Sequence, residues 1–154
     1  MSHVLVAGVG NIFFGDDAFG VEVVRQLALD PPPHARILDV GIRARHLAYE
    51  LCGDVDLCVI ADCMARGGEP GTLYVLEPEA AAAGSVADAH ALALPSVFAA
   101  VRELGGQMPR TLVVGCEPDT LDPVMELSAP VARAVPEAVR LIRDLIDHPP
   151  EVTP

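Results

Sequence analysis

The stretch Val4-Leu5-Val6-Ala7-Gly8-Val9-Gly10-Asn11-Ile12-Phe13-Phe14-Gly15-Asp16-Asp17-Ala18-Phe19-Gly20 decides how the rest of the chain is read. A short β-branched run passes into a glycine-rich turn. The turn then enters a segment where Gly20, Val23, Val24, Leu27 and Ala28 recur at helical spacing. A strand feeding a helix through glycines is the opening unit of a parallel α/β sheet. Asp30-Pro31-Pro32-Pro33 ends that helix, because proline has no amide hydrogen with which to continue the ladder.

The same alternation continues outward. Residues 4–7, 35–40, 57–61, 72–76 and 111–115 read as strands, with helices predicted over 44–51, from Leu94 to the Gly105-Gly106 stop, and from Ser128 to Pro149-Pro150. Pro95 and Pro130 fall in first turns, where proline is tolerated, whereas Pro136 is expected to kink the last helix or to mark the start of its main part. The loop between residues 61 and 72 is too short for a crossover helix, so residues 72–76 should lie antiparallel at an edge. These features predict a single-domain α/β three-layer sandwich. Its twisted, mostly parallel five-stranded sheet is flanked by helices and has one antiparallel edge strand. Residues 1–148 form the domain and residues 149–154 a short tail containing proline.

Charge narrows the function classes. The chain of 154 residues has 10 basic and 22 acidic side chains and a net charge of −12, and every basic residue is arginine. Without lysine there is no Walker phosphate loop and no Schiff-base chemistry. Excess acid opposes binding to nucleic acid or to an anionic membrane. No apolar run approaches the ~18–20 residues that span a bilayer. Met1-Ser2-His3 supplies no basic leader, so a cytoplasmic protein is expected. Cys52, Cys58, Cys63 and Cys116 form no Cys-x-x-Cys pair and read as small buried hydrophobes, Cys63 included.

Parallel strands bring their C-terminal ends to one edge, where open α/β proteins bind ligands. Asp16 and Asp17 follow the first strand, Asp39 and Gly41 the second, Asp62 the third, and Glu117 and Asp119 the fifth. A dinucleotide fingerprint fails at its third glycine, which is Phe13, and Asp16-Asp17 would face a pyrophosphate, although Asp39 sits where a ribose-binding acid belongs. A cation suits the acid pair better. Asp16 is expected to cap the helix, which leaves Asp17 for chemistry. Asp62 ends an apolar strand, where its bland alternative is a cap or turn residue. His90, alone in an alanine-rich stretch, is by position more often a surface residue than a ligand.

Taken in order, Gly8-Val9-Gly10-Asn11-Ile12, Gly15-Asp16-Asp17, Gly20, Ile60-Ala61-Asp62, Pro70-Gly71-Thr72, His90, Gly115-Cys116-Glu117-Pro118 and Leu127-Ser128-Ala129-Pro130 resemble the hydrogenase maturation endopeptidases over essentially the whole chain. The resemblance implies removal of a C-terminal extension from the precursor of a nickel–iron hydrogenase large subunit after nickel insertion. It also implies that Asp17, Asp62 and His90 are the metal-binding and catalytic residues. Nickel then arrives with the precursor, and no organic cofactor is expected. Gly10, Asn11, Asp39 and Gly41 fall where loop support or substrate contact is expected, and the protein is expected to act as a monomer. The chain departs from the family pattern at Ala18, often glycine, and at Asp39-Val40-Gly41-Ile42, often Asp-Gly-Gly-Thr; the latter loop bears on which hydrogenase is served. The rival readings are a non-catalytic factor that binds nickel and precursor without cutting, and a nucleotide-binding Rossmann-like protein.

Overall fold

The opening run forms β1 (Val4–Val9), every residue of which is buried. It is flanked by β2 (Ala35–Gly41) on one side and β3 (Leu57–Cys63) on the other, both parallel to it. Beyond β3 come β4 (Leu73–Leu76) and β5 (Arg110–Cys116), giving the strand order β2-β1-β3-β5-β4. β5 is parallel to β3, and β4 is antiparallel to β5 at the edge, as its short connection requires. The computed structural model describes residues 3–78 and 94–151.

Alternation along the strands builds two cores, because successive side chains point to opposite faces of a sheet. Val4, Val6, Val59, Ala61, Leu112 and Val114 meet α1 (Phe19–Leu27) and α4 (Ala129–Asp147). Leu5, Ala7, Cys58, Ile60 and Val113 meet α2 (Ala44–Leu51) and α3 (Leu94–Glu103). Both faces are covered, so the central strands read as continuous apolar runs. Among the described residues no helix is long and apolar enough to cross a membrane.

The four parallel strands run one or two residues further toward their C-terminal edge than the apolar pattern predicts. The ladder supplies the reason: Asp62 pairs in register with Gly115, and Cys63 with Cys116. Asp62 is therefore a strand residue, neither a cap nor a turn. Pro136 does not divide α4, which is helical from Ala129 to Asp147. Its ring sits on the exposed face of the helix, so water reaches the carbonyl that the missing amide leaves behind.

The chain leaves β1 in one direction to form β2 and crosses back over β1 to form β3. The switch point therefore lies between β1 and β3, where such sheets open a crevice. α1 packs very closely there. A Cβ on Gly20 would lie 2.0 Å from the carbonyl oxygen of Ala61. Alanine normally favours an interior helix position by about 1 kcal/mol over glycine. Gly20→Ala should instead destabilise the fold by roughly 1–3 kcal/mol, read as a lower urea midpoint. An unchanged or raised midpoint would contradict the close approach.

Candidate active site

Two acids come to this switch point from different elements. Asp62 is the penultimate residue of β3 and is 2% exposed. Asp17 lies in a single 3₁₀ turn, Gly15–Ala18, between β1 and α1. Its carboxylate is oriented by the backbone of the same loop: the Asn11 N–H donates to Asp17 Oδ2 at 2.9 Å. Asn11 Oδ1 in turn accepts the Phe13 N–H at 2.9 Å, which fixes the turn.

Gly10 allows that closure. Its φ is +141°, and a Cβ would lie 1.8 Å from the Asp17 carbonyl oxygen, so only glycine fits. The Gly10 N–H donates to the carbonyl of Gly41 at 2.9 Å, which fastens the loops after β1 and β2 together. Gly10, Asn11 and Gly41 thus build the loop that carries Asp17. Asp39 is exposed on the outer strand, and its carbonyl accepts from the Arg43 guanidinium.

The Cys63 thiol reports how closely the acids gather. Burial pushes it far above its ordinary value, and the charges of Asp62, Asp17, Cys116 and Asp16 push it further in the same direction. Cys116 is raised to about 12 by burial first, with Asp16 and Glu117 adding to it. Burial alone takes Cys58 to about 12. A thiol held protonated is a poor nucleophile, so these cysteines pack rather than attack. All four cysteines are free thiols.

Asp16 does not cap α1, contrary to the sequence reading. Neither the 3₁₀ turn nor α1 has a side-chain cap. The Asp16 carboxylate is fully buried and turned toward the loop after β5. Its Oδ2 accepts the N–H groups of Asp119 (2.8 Å) and Thr120 (3.0 Å) and the Ser128 hydroxyl (2.8 Å). Its Oδ1 accepts the Ser128 N–H at 2.7 Å. Ser128 stands at the N-cap position of α4 but makes no capping bond, because its hydroxyl is given to Asp16.

Glu117, 5% exposed, plays a matching part on the other side. One oxygen, Oε1, accepts the N–H groups of Arg66 (2.8 Å) and Gly68 (2.9 Å) and the Tyr74 hydroxyl (2.7 Å). Burial pushes the carboxyl up, but the Tyr74 and backbone hydrogen bonds outweigh it and hold Glu117 below the usual carboxylate range. Neither role was legible in sequence, since the donors lie 43 to 112 residues away along the chain.

His90 lies outside the described residues. Among the described residues no group of three or more histidine, cysteine, aspartate or glutamate side chains is arranged to hold a metal. The sheet edge itself offers two carboxylates, Asp17 and Asp62, which are hard oxygen donors suited to a divalent cation.

Comparison with known proteins gives a consistent result. The family described as hydrogenase maturation protease, HycI, matches residues 21–145. The hydrogenase 2 maturation protease of Escherichia coli is 33% identical, over 91% of this chain and 88% of that protein. The coenzyme F420 hydrogenase subunit delta of Methanothermobacter thermautotrophicus is 29% identical, over 94% of this chain and 95% of that protein. The solved structure of the hydrogenase maturating endopeptidase HybD from E. coli superimposes with a TM-score of 0.81 at 29% identity, covering 96% of this chain and 94% of that one.

The two buried anchors should separate from the switch-point acids by their effect on folding. Asp16→Asn places an amide among donors and should cost on the order of 2–4 kcal/mol in chemical denaturation. Asp17→Asn should cost under about 1 kcal/mol, since an asparagine retains a side-chain oxygen to accept the Asn11 N–H. Because Glu117 is held below its unfolded value, its contribution is complete above the ordinary carboxylate range and fades as pH falls through the depressed value. Acid titration of stability should therefore be shallower for Glu117→Gln than for the parent. Superimposable acid profiles would contradict that role.

Proposed function

The chain belongs to the hydrogenase maturation protease family, and from that premise we propose that it is the endopeptidase that removes the C-terminal extension of a nickel–iron hydrogenase large-subunit precursor. We propose further that Asp17, Asp62 and His90 read the nickel the precursor carries. The observation that carries the reading is the gathering of two carboxylates at the switch point, Asp17 from the turn that follows β1 and Asp62 from the end of the adjacent parallel strand β3.

The chemistry follows from charge. Carboxylates brought together repel, and a divalent cation relieves that repulsion. Asp17 and Asp62 contribute only negative charge to the donor set, and a precursor that carries nickel brings the cation. Cleavage then follows insertion, because only the loaded precursor completes the site. Asp17 is pre-aimed by the Asn11 amide, and Asp62 is fixed by its place in the ladder with β5, opposite Gly115, so neither must be ordered when the substrate docks. His90 adds a borderline donor that suits nickel.

Once docked, the metal supplies Lewis acidity: it polarises the scissile carbonyl or activates a water. The chain holds the reacting peptide against it. The raised thiols of Cys63 and Cys116 leave no competing sulfur nucleophile beside the acids.

Mass spectrometry of a nickel-loaded precursor incubated with the protein tests the reading directly, with a shortened C-terminus expected. Asp62→Asn should abolish processing while the far-ultraviolet circular dichroism and urea midpoint stay near the parent values. Cleavage by Asp62→Asn at the parental rate would remove Asp62 from the reaction. An apo precursor cut as fast as the nickel form would remove the nickel-reading role, and binding without cutting would favour a non-catalytic maturation factor.

A further inference from the structure

A groove of about 830 Å³ runs between α1 and α4 on the outer surface of the domain. The two helices point the same way. Ser128, just before α4, is fastened to Asp16 just before α1, and Arg143 near the end of α4 donates to the carbonyl of Asp30 beyond the end of α1. The groove therefore has a site end and a far end. At the site end Ala18, next in chain to Asp17, and Ile12, next to the Asn11 that holds it, line the wall with Met125. Met125 is 67% and Ile12 38% exposed, which gives this end of the groove an apolar surface. At the far end stand Arg25 and Arg140, two of the ten cations of a chain with net charge −12.

The wall also carries a backbone acceptor. Ala132 and Pro136 both line the groove. In a regular helix the amide of residue 136 would donate to the carbonyl of residue 132, but proline has no such hydrogen. The Ala132 carbonyl is thus left without that donor on the exposed side of α4, where a peptide N–H can reach it.

We propose that this groove receives the apolar part of the precursor's C-terminal extension, with an acidic group of that segment against Arg25 and Arg140. This rests on the proposed function and extends it to where the departing peptide is held. Three features select that occupant. The groove is continuous with the loop that carries Asp17, its wall is largely apolar with a main-chain acceptor, and its far end holds Arg140 and Arg25, the latter paired with Glu22, in a chain of net charge −12. The Arg25–Glu22 pair, 3.3 Å and exposed, is weak enough to yield to a partner carboxylate.

A labelled synthetic peptide with the sequence of the extension, titrated against the full-length protein by fluorescence anisotropy, tests this. Arg140→Glu, at an exposed position, should weaken peptide binding at least tenfold. Ala132→Arg should do the same by filling the groove. Pro136→Ala restores the helix amide and should raise the thermal midpoint yet weaken the peptide about threefold, a pairing that a merely structural proline would not give. Peptide affinities within twofold of the parent for Arg140→Glu and Ala132→Arg overturn the groove assignment, whether or not the precursor is cut. A precursor truncated before its extension that competes as well as the full precursor also overturns it. Parental peptide binding with no cleavage of nickel-loaded precursor leaves the groove standing and sinks the protease reading instead.

Discussion

The carboxylate of Asp16 is the interaction on which the loops at the C-terminal edge of the sheet depend. It is fully buried and accepts four hydrogen bonds, from Asp119, Thr120 and both donors of Ser128. A carboxylate without such partners would be costly in that position, and satisfied donors make it a rivet. The main chain reinforces it, since the Gly15 and Asp16 amides donate to the carbonyls of Val124 and Thr120. Asp16 therefore sets where the loop after β5 lies, where α4 begins, and how the turn bearing Asp17 is held. Adjacent acids take different duties: Asp16 ties its turn to the loop after β5, whereas Asp17 accepts the Asn11 amide within its own loop.

Glu117 shows the same principle on the far side of β3. It gathers the Arg66 and Gly68 amides and the Tyr74 hydroxyl onto one oxygen, which fixes the loop between β3 and β4 against β5. Anchors thus stand on either flank of Asp62, and both are anionic. That choice has an electrostatic consequence. The charges that order the loops are of the same sign as those of Asp17 and Asp62, so the whole edge favours a cationic substrate group over an anionic one. The four N–H and hydroxyl dipoles on Asp16 offset its charge locally, which lets an extra acid be buried here without neutralising the crevice.

Most of the architecture was legible because periodicity and punctuation agree. Asp30-Pro31-Pro32-Pro33 and Gly105-Gly106 end helices where proline and glycine must, and the short connection after Asp62 forces β4 to run antiparallel. Strand ends were read short, since Asp62 and Cys63 are held in the ladder by Gly115 and Cys116 rather than by their own polarity. The continuity of α4 through Pro136 was also hidden, because it depends on which face of the helix meets water. Strand order alone brings Asp16, Asp17, Asp39, Asp62, Glu117 and Asp119 to one sheet edge but does not divide their roles. Asp16 was misread as a cap because its partners come from more than a hundred residues away, and local rules prefer the nearest amides.

The absence of lysine and the inert thiols lead to the same chemistry from different directions. With no lysine there is no amine nucleophile, and burial together with the neighbouring acids keeps Cys63 and Cys116 protonated. What the switch point has left is carboxylate, and a carboxylate pair is held apart by its own repulsion until a cation arrives. Two carboxylates on neighbouring elements favour a divalent cation over an uncharged peptide group, and that preference is the electrostatic ground for the proposed order of nickel insertion before cleavage.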